Sequence, residues 1–202
     1  MTRTTEKKRC FGDGDALYEH YHDVEWARPV VDPRELYERL CLEAFQAGLS
    51  WRTVLHKREA FREVFAGFDP ERVAAFGKRD VARLLADARI IRNRAKIEAA
   101  LSNARALIAL HEQGGSIVEL VWQFAPARPP VYRTLSEVPA STPGSRALSV
   151  ALRKAGFRFV GPTTAYATMQ AAGLVNDHLL CCPQHRRVAV ERRTALEGLS
   201  GR

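Results

Sequence analysis

The stretch DPRELYERLCLEAFQAGLSW, residues 32–51, decides the fold. Asp32 is a capping residue, Pro33 stands at the first helical position, and Glu35 completes a capping-box-like pattern. Leu36, Leu40, Ala44 and Ala47 follow at helical spacing, and Gly48 stops the run. Ser50 opens a second helix carrying Trp51, Val54, Leu55, Phe61 and Phe65. The same punctuation recurs downstream. Asp69-Pro70-Glu71 starts one helix and Asp80 caps a short one. A longer helix runs from about Asn93 to Gln113, ended by Gly114-Gly115. Ser116, Thr142-Pro143 and Pro162 each begin another. Strand signals are nearly absent; only the short stretch 157–160 reads as extended. The pattern predicts an all-α fold of eight or nine helices. The segment 125–139 reads as a long loop.

The chain has 202 residues, enough to bury a core without disulfide staples. Lys and Arg number 31 against 23 Asp and Glu, a net charge of +8. That excess fits a polyanionic partner, nucleic acid before membrane surface, although a positive balance is also plain solubility. No apolar run has the length of a membrane span, and MTRTTEKKRC lacks the apolar stretch of a signal peptide. Secretion, collagen-like repeats and coiled coil are set aside, and a soluble cytoplasmic monomer without membrane contact is expected, nucleoid-associated if bacterial. The expected organisation is a flexible N-terminus over 1–9, one all-α domain over 10–183, and a basic disordered tail over 184–202.

Three groups of residues bear on chemistry. Residues 78–105 hold eight basic side chains against three acidic ones, around a turn at Arg89-Ile90-Ile91-Arg92 that precedes a helix. A helix start ringed by Arg suits phosphate; a solvated charged face is the plainer reading. His178 and Cys182 are one helical turn apart, and with Cys10 and His22 they make a Cys/His set typical of closed tetrahedral zinc. Four unrelated buried residues are the alternative. Tyr18, Tyr21, Trp26 and Trp51 surround polar segments that include Glu43. Aromatic faces with a few fixed polar groups suit a flipped base, and core packing is the commoner fate of such rings. Glu43 sits among apolar neighbours, with Arg39 four residues back as a bland surface partner.

Taken together these residues resemble the 3-methyladenine-DNA glycosylase I family. The resemblance is carried by Arg9-Cys10, by residues 17–26 (LYEHYHDVEW) and by residues 42–51 (LEAFQAGLSW). It continues through Ile90-Ile91-Arg92-Asn93-Arg94, Phe159-Val160-Gly161 and residues 169–178 (MQAAGLVNDH). It spans Cys10 to Cys182. It implies a divergent helix–hairpin–helix glycosylase fold with one structural zinc on Cys10, His22, His178 and Cys182, joining the two ends of the chain. It implies excision of 3-methyladenine from alkylated double-stranded DNA by base flipping. Glu43 is then the catalytic, base-reading carboxylate; Tyr18, Tyr21 and Trp51 are walls, and Trp26 a wall or support. Leu49 fills or wedges the duplex, and Arg89, Arg92 and Arg94 meet phosphates. Two positions depart from the family pattern: Phe11-Gly12 stands where a Trp is common, and Arg89 where the hairpin usually has Gly. No lysine lies in the pocket segments, so a Schiff-base lyase step is not indicated. Two other classes stay in view, a non-catalytic zinc-stabilised DNA-binding module and a small-molecule binder.

Overall fold

The computed structural model describes residues 8–12 and 14–201 and contains no strand among them. Ten α-helices follow in order: α1 Ala16–Val24, α2 Pro33–Gln46, α3 Trp51–Val64, α4 Pro70–Ala74, α5 Lys78–Ala86, α6 Arg94–Glu112, α7 Ile117–Trp122, α8 Pro143–Lys154, α9 Pro162–Ala171 and α10 Gln184–Ser200. The capping signals act as their chemistry dictates. The side chains of Asp32, Ser50, Asp69, Asn93, Ser116 and Thr142 each accept a hydrogen bond from a first-turn amide. Asp80 is not the cap of α5. That helix starts earlier, and Asp80 reaches back to accept from the amide of Gly77 at 3.0 Å. Residues 157–160 form no strand, and the 125–139 loop is pinned where the Leu180 amide donates to the Tyr132 carbonyl at 2.9 Å.

Helix α2 is the central element because nine of its fourteen residues are buried. Leu36, Tyr37, Leu40, Cys41, Leu42, Ala44 and Phe45 are all buried, and the helix packs on α3, α6, α7 and α9. Polar groups inside the core find partners. The Tyr37 hydroxyl donates to the Ala100 carbonyl at 2.9 Å, and the Trp122 indole to Val30 at 2.8 Å. A second, smaller apolar cluster holds Cys10, Tyr21, Trp26, Ala27, Leu55, Cys182 and Val188. Trp51 packs against both clusters. The base of α1 therefore sits between the two ends of the chain.

The tail expected to be disordered is helix α10, and it is docked. Val188 is fully buried, and Arg192, 4% exposed, donates through Nε to the Leu174 carbonyl at 2.7 Å and through its guanidinium to that of Pro126. Glu191 pairs with Arg28 at 2.5 Å. Arg-rich composition misleads here because one of the arginines, Arg192, is itself a buried anchor. At the other end, residues 1–7 of the expected flexible segment lie outside the described residues. Arg9 is held by Asp23 at 2.8 Å and Glu19 at 3.3 Å. No helix among the described residues is long and apolar enough to cross a membrane.

Candidate active site and metal centre

The two ends of the chain meet at four side chains. Cys10, His22, His178 and Cys182 are all buried, with their ligand atoms within 4.8 Å of one another. Cys182 Sγ lies 3.5 Å from His178 Nδ1 and 3.6 Å from His22 Nε2, and Cys10 Sγ lies 3.8 Å from His178 Nδ1. A tetrahedral centre with bonds of roughly 2.0–2.3 Å has edges of about 3.3–3.8 Å, so the donor set fits a metal of that geometry. The far nitrogens are already engaged. His22 Nδ1 meets Asp23 at 2.8 Å and His178 Nε2 meets the Trp26 carbonyl at 3.3 Å. Each imidazole thereby turns its other nitrogen toward the thiols, the usual outer-shell arrangement, and His22 Nε2 also accepts from the Cys10 amide at 3.1 Å. A hydrogen bond from Cys10 pulls the Cys182 thiol down, and those from His178 and His22 add to it. The Cys10 thiol is pushed up by that same bond and by burial. His185 stands outside the set, with Nδ1 2.7 Å from the His178 carbonyl.

Beside this centre lies the aromatic cluster. Helix α1 carries Tyr18, Tyr21 and His22 within little more than one turn, so one stretch of helix serves both sites. Tyr21 and Trp51 ring centres are 5.1 Å apart, tilted by 43°. Phe11, which sequence reasoning did not place in the site, is the hub. It stacks on Tyr18 at 4.7 Å and meets Trp26 edge-on at 4.9 Å. An aromatic directly after a ligand cysteine was the available signal. Trp26, expected as a wall or support, is 9% exposed, and its ring packs edge-on against both Phe11 and His178 at 4.9 and 4.6 Å, between the aromatic cluster and the Cys/His centre.

Glu43 is 5% exposed. Arg39 does not pair with it. The Arg39 guanidinium turns the other way along α2, to Glu35 at 2.9 Å and the Ala171 carbonyl at 3.3 Å. The Glu43 carboxyl takes part in no hydrogen bond or ion pair among the described residues. Burial drives its pKa up to about 8, against a smaller downward pull from Arg39 at a distance. Burial and then the charge of Glu43 push the Tyr21 phenol up, which places the two groups in one field. The nearby ion pair is separate: Arg58 holds Glu25 with two bonds of 2.5 and 2.9 Å. An unpaired buried carboxyl near Tyr21, whose ring packs on Trp51, is what a cationic, flat ligand fits.

The end of α2 turns sharply out of the site. Gly48 has φ +84°, a left-handed value natural to glycine, and Leu49 beyond it is 45% exposed. Asp15 fixes the opposite side, accepting from Arg52 Nε at 2.5 Å and meeting His56 Nε2 at 2.7 Å, so that α1 and α3 are tied. The His56 contact first of all holds the Asp15 carboxyl down to about 2.

The basic segment divides once contacts are known. Arg89 is not a free phosphate ligand: Asp87 and Glu63 each hold it at 2.8 Å. Arg83 and Arg105 bond to carbonyls of the α3–α5 region, and Lys96 is buried. Arg94 has a loose 3.4 Å contact with Glu98. Arg92 has no such partner among the described residues and is exposed, as are Lys78 and Arg79. The turn before α6 also leaves the Ile91 and Arg92 amides without acceptors among the described residues. Lys57 props this turn by donating to the Ala88 and Arg89 carbonyls at 3.2 and 2.9 Å.

Comparison with known proteins shows the family. Residues 11–185 match the family described as methyladenine glycosylase. A curated relative from Escherichia coli (strain K12), DNA-3-methyladenine glycosylase 1, is 53% identical over 170 residues, covering 83% of this chain and 91% of its own. The crystal structure of a 3-methyladenine DNA glycosylase I superposes with a TM-score of 0.85 at 50% identity, over 88% of this chain and all of that one. A Staphylococcus aureus enzyme, whose structure is described as the basis of 3-methyladenine recognition, has a TM-score of 0.83 at 35% identity, covering 89% and 96%. By fold, by sequence along nearly its whole length, and by the match over residues 11–185, the chain belongs to the methyladenine glycosylase family.

Proposed function

We propose that this chain is a monofunctional DNA glycosylase that removes 3-methyladenine from alkylated double-stranded DNA. The observation that carries the reading is Glu43, a buried and unpaired carboxyl beside Tyr21 and Trp51. Methylation at N3 makes adenine a cation and weakens its glycosidic bond, so the base leaves neutral with little acid help. The task is then to extract the nucleotide, exclude normal adenine and let water reach the sugar. The flat base stacks among Tyr18, Tyr21 and Trp51, backed by Phe11. Glu43 accepts from the exocyclic amine, and its negative charge favours a cationic ring. Neutral adenine gains less from both, which gives selectivity by difference.

The α5–turn–α6 unit acts as the helix–hairpin–helix element of the fold. It holds a phosphate with the Ile91 and Arg92 amides, the Arg92 guanidinium and the start of α6. Arg94 adds charge at its edge, and Leu49 stands ready to occupy the gap left by the flipped base. Cys10, His22, His178 and Cys182 would hold one structural zinc. Four protein ligands leave no position for a catalytic water, so the metal supplies a cross-link between α1 and the segment before α10. Asp177 and Tyr166 buttress that segment with a 2.6 Å bond.

The test is chromatography of bases released from methylated duplex. The reading predicts free 3-methyladenine, no release of unmodified adenine, and strands that stay intact until treated with alkali. No base release by folded, metal-loaded protein would leave a DNA-binding module as the better account.

A further inference from the structure

The last turn of a helix leaves carbonyls without intrahelical partners, and at the end of α2 local amides satisfy only some of them. The Ala44 and Gln46 carbonyls accept from the Ala47 and Leu49 amides, at 3.3 and 2.6 Å. The Phe45 and Ala47 carbonyls have no such local partner, and α2 has no basic residue in its last turn. They are taken by one ammonium from another helix: Lys96 Nζ lies 2.9 Å from the Phe45 carbonyl and 2.6 Å from that of Ala47. Lys96 is 7% exposed, so its charge is spent inside the protein, on α2.

Its backbone is committed as well. The Lys96 amide donates to the Asn93 cap at 3.2 Å, and Asn93 directly follows the turn bearing Arg92. A single residue therefore joins the start of α6 to the end of α2. One turn before that end is Glu43, and two residues after Ala47 is Leu49. Lys96 acts on this end of α2 through its two carbonyl contacts. Its influence is geometric.

We infer that Lys96 is a positioning residue which couples the phosphate-binding turn to the base pocket, holding Glu43 and Leu49 in register with DNA bound at Arg92. This inference rests on the glycosylase reading above. Without the strap, duplex still docks on the turn, but the end of α2 is free to shift, and extraction and excision suffer more than binding.

The experiment compares Lys96→Met, which keeps length and removes both bonds, with Lys96→Gln, which keeps an N–H donor. Each is measured against the unsubstituted chain for the turnover rate of base release from methylated duplex, affinity for undamaged duplex, and Tm. The expected result is a fall in turnover of about tenfold or more for Lys96→Met, with duplex affinity changed by less than about twofold and Lys96→Gln in between. A turnover within about twofold of the unsubstituted chain overturns the inference, whether or not Tm falls. So does a parallel loss of affinity and turnover. If Lys96→Met does not fold, Lys96→Gln is judged by the same criteria, and failure of both to fold makes the residue a requirement of folding and overturns the inference too. Absence of base release by the unsubstituted chain in the same assay would instead reject the glycosylase reading.

Discussion

A carboxyl whose pKa burial raises to about 8 makes folding take up a proton. The unfolded Glu43 ionises near the ordinary carboxylate value. Below that pH the residue costs nothing extra; the penalty builds as pH rises toward 8 and is complete above it. Replacing Glu43 by Gln removes the ionisable group and leaves the shape. The difference in Tm between Glu43→Gln and the unsubstituted chain should therefore shift in favour of the variant between about pH 5 and about pH 9. Thermal unfolding at the two pH values checks it; a pH-independent difference would mean that Glu43 is paired in the folded chain. A site that is destabilising when empty is what selective binding of a cation needs, since the ligand then supplies the missing partner.

The same residue shows what spacing in a sequence reveals and what it conceals. The i,i+4 relation of Arg39 and Glu43 is real, yet Arg39 has a second partner at the same spacing, Glu35, and takes it. Only three-dimensional burial decides between the two. Phe11 was hidden for a similar reason: composition identifies aromatics, whereas which ring meets imidazole and which meets tyrosine depends on how two distant segments cross.

At the scale of elements, helices announced by a side-chain cap and an apolar stripe were legible, α2, α3, α6 and α8 above all. Helix α1 lacked a stripe because its buried residues are Tyr21 and His22, adjacent in sequence. Helix α10 lacked one because its anchors are Val188 and the polar Glu191 and Arg192. The α5–turn–α6 unit was recognisable by charge, but charge alone overcounted the free arginines. Arg92→Ala should lower duplex affinity and reduce the slope of log affinity against log salt by about one unit. Arg89→Ala should leave that slope nearly unchanged, because Asp87 and Glu63 already neutralise the guanidinium. Salt titrations of both variants on one undamaged duplex decide it; equal slopes for the two would return Arg89 to the interface.

At the scale of the whole molecule, the two chain ends are tied by the Cys/His centre, by Arg28 with Glu191, and by Arg192. Arg192→Met removes the donor to two inward carbonyls while keeping most of the packing. Leaving such groups unpaired costs about 3 kcal/mol in all, which for a chain of this size lowers Tm by roughly 6–12 °C. Calorimetry at a fixed zinc concentration measures it, and a change under about 2 °C would show α10 to be dispensable. Cys10→Ser should lower both metal content and Tm, because a zinc on the four side chains would pin His22, and with it Tyr21 on the same helix. Metal analysis showing full zinc in that variant would remove Cys10 from the ligand set.

The proposed function turns on recognition of the damaged base by Glu43, within an otherwise ordinary all-α scaffold. The most direct measurement is the initial rate of 3-methyladenine release from methylated duplex by Glu43→Gln, beside the unsubstituted chain, at saturating DNA and equal zinc content. A hydrogen bond to a charged group is worth about 1.5–3 kcal/mol, so the rate should fall by about tenfold to a hundredfold. Affinity for undamaged duplex should stay unchanged. Base release at the unsubstituted rate by the folded variant would contradict the account.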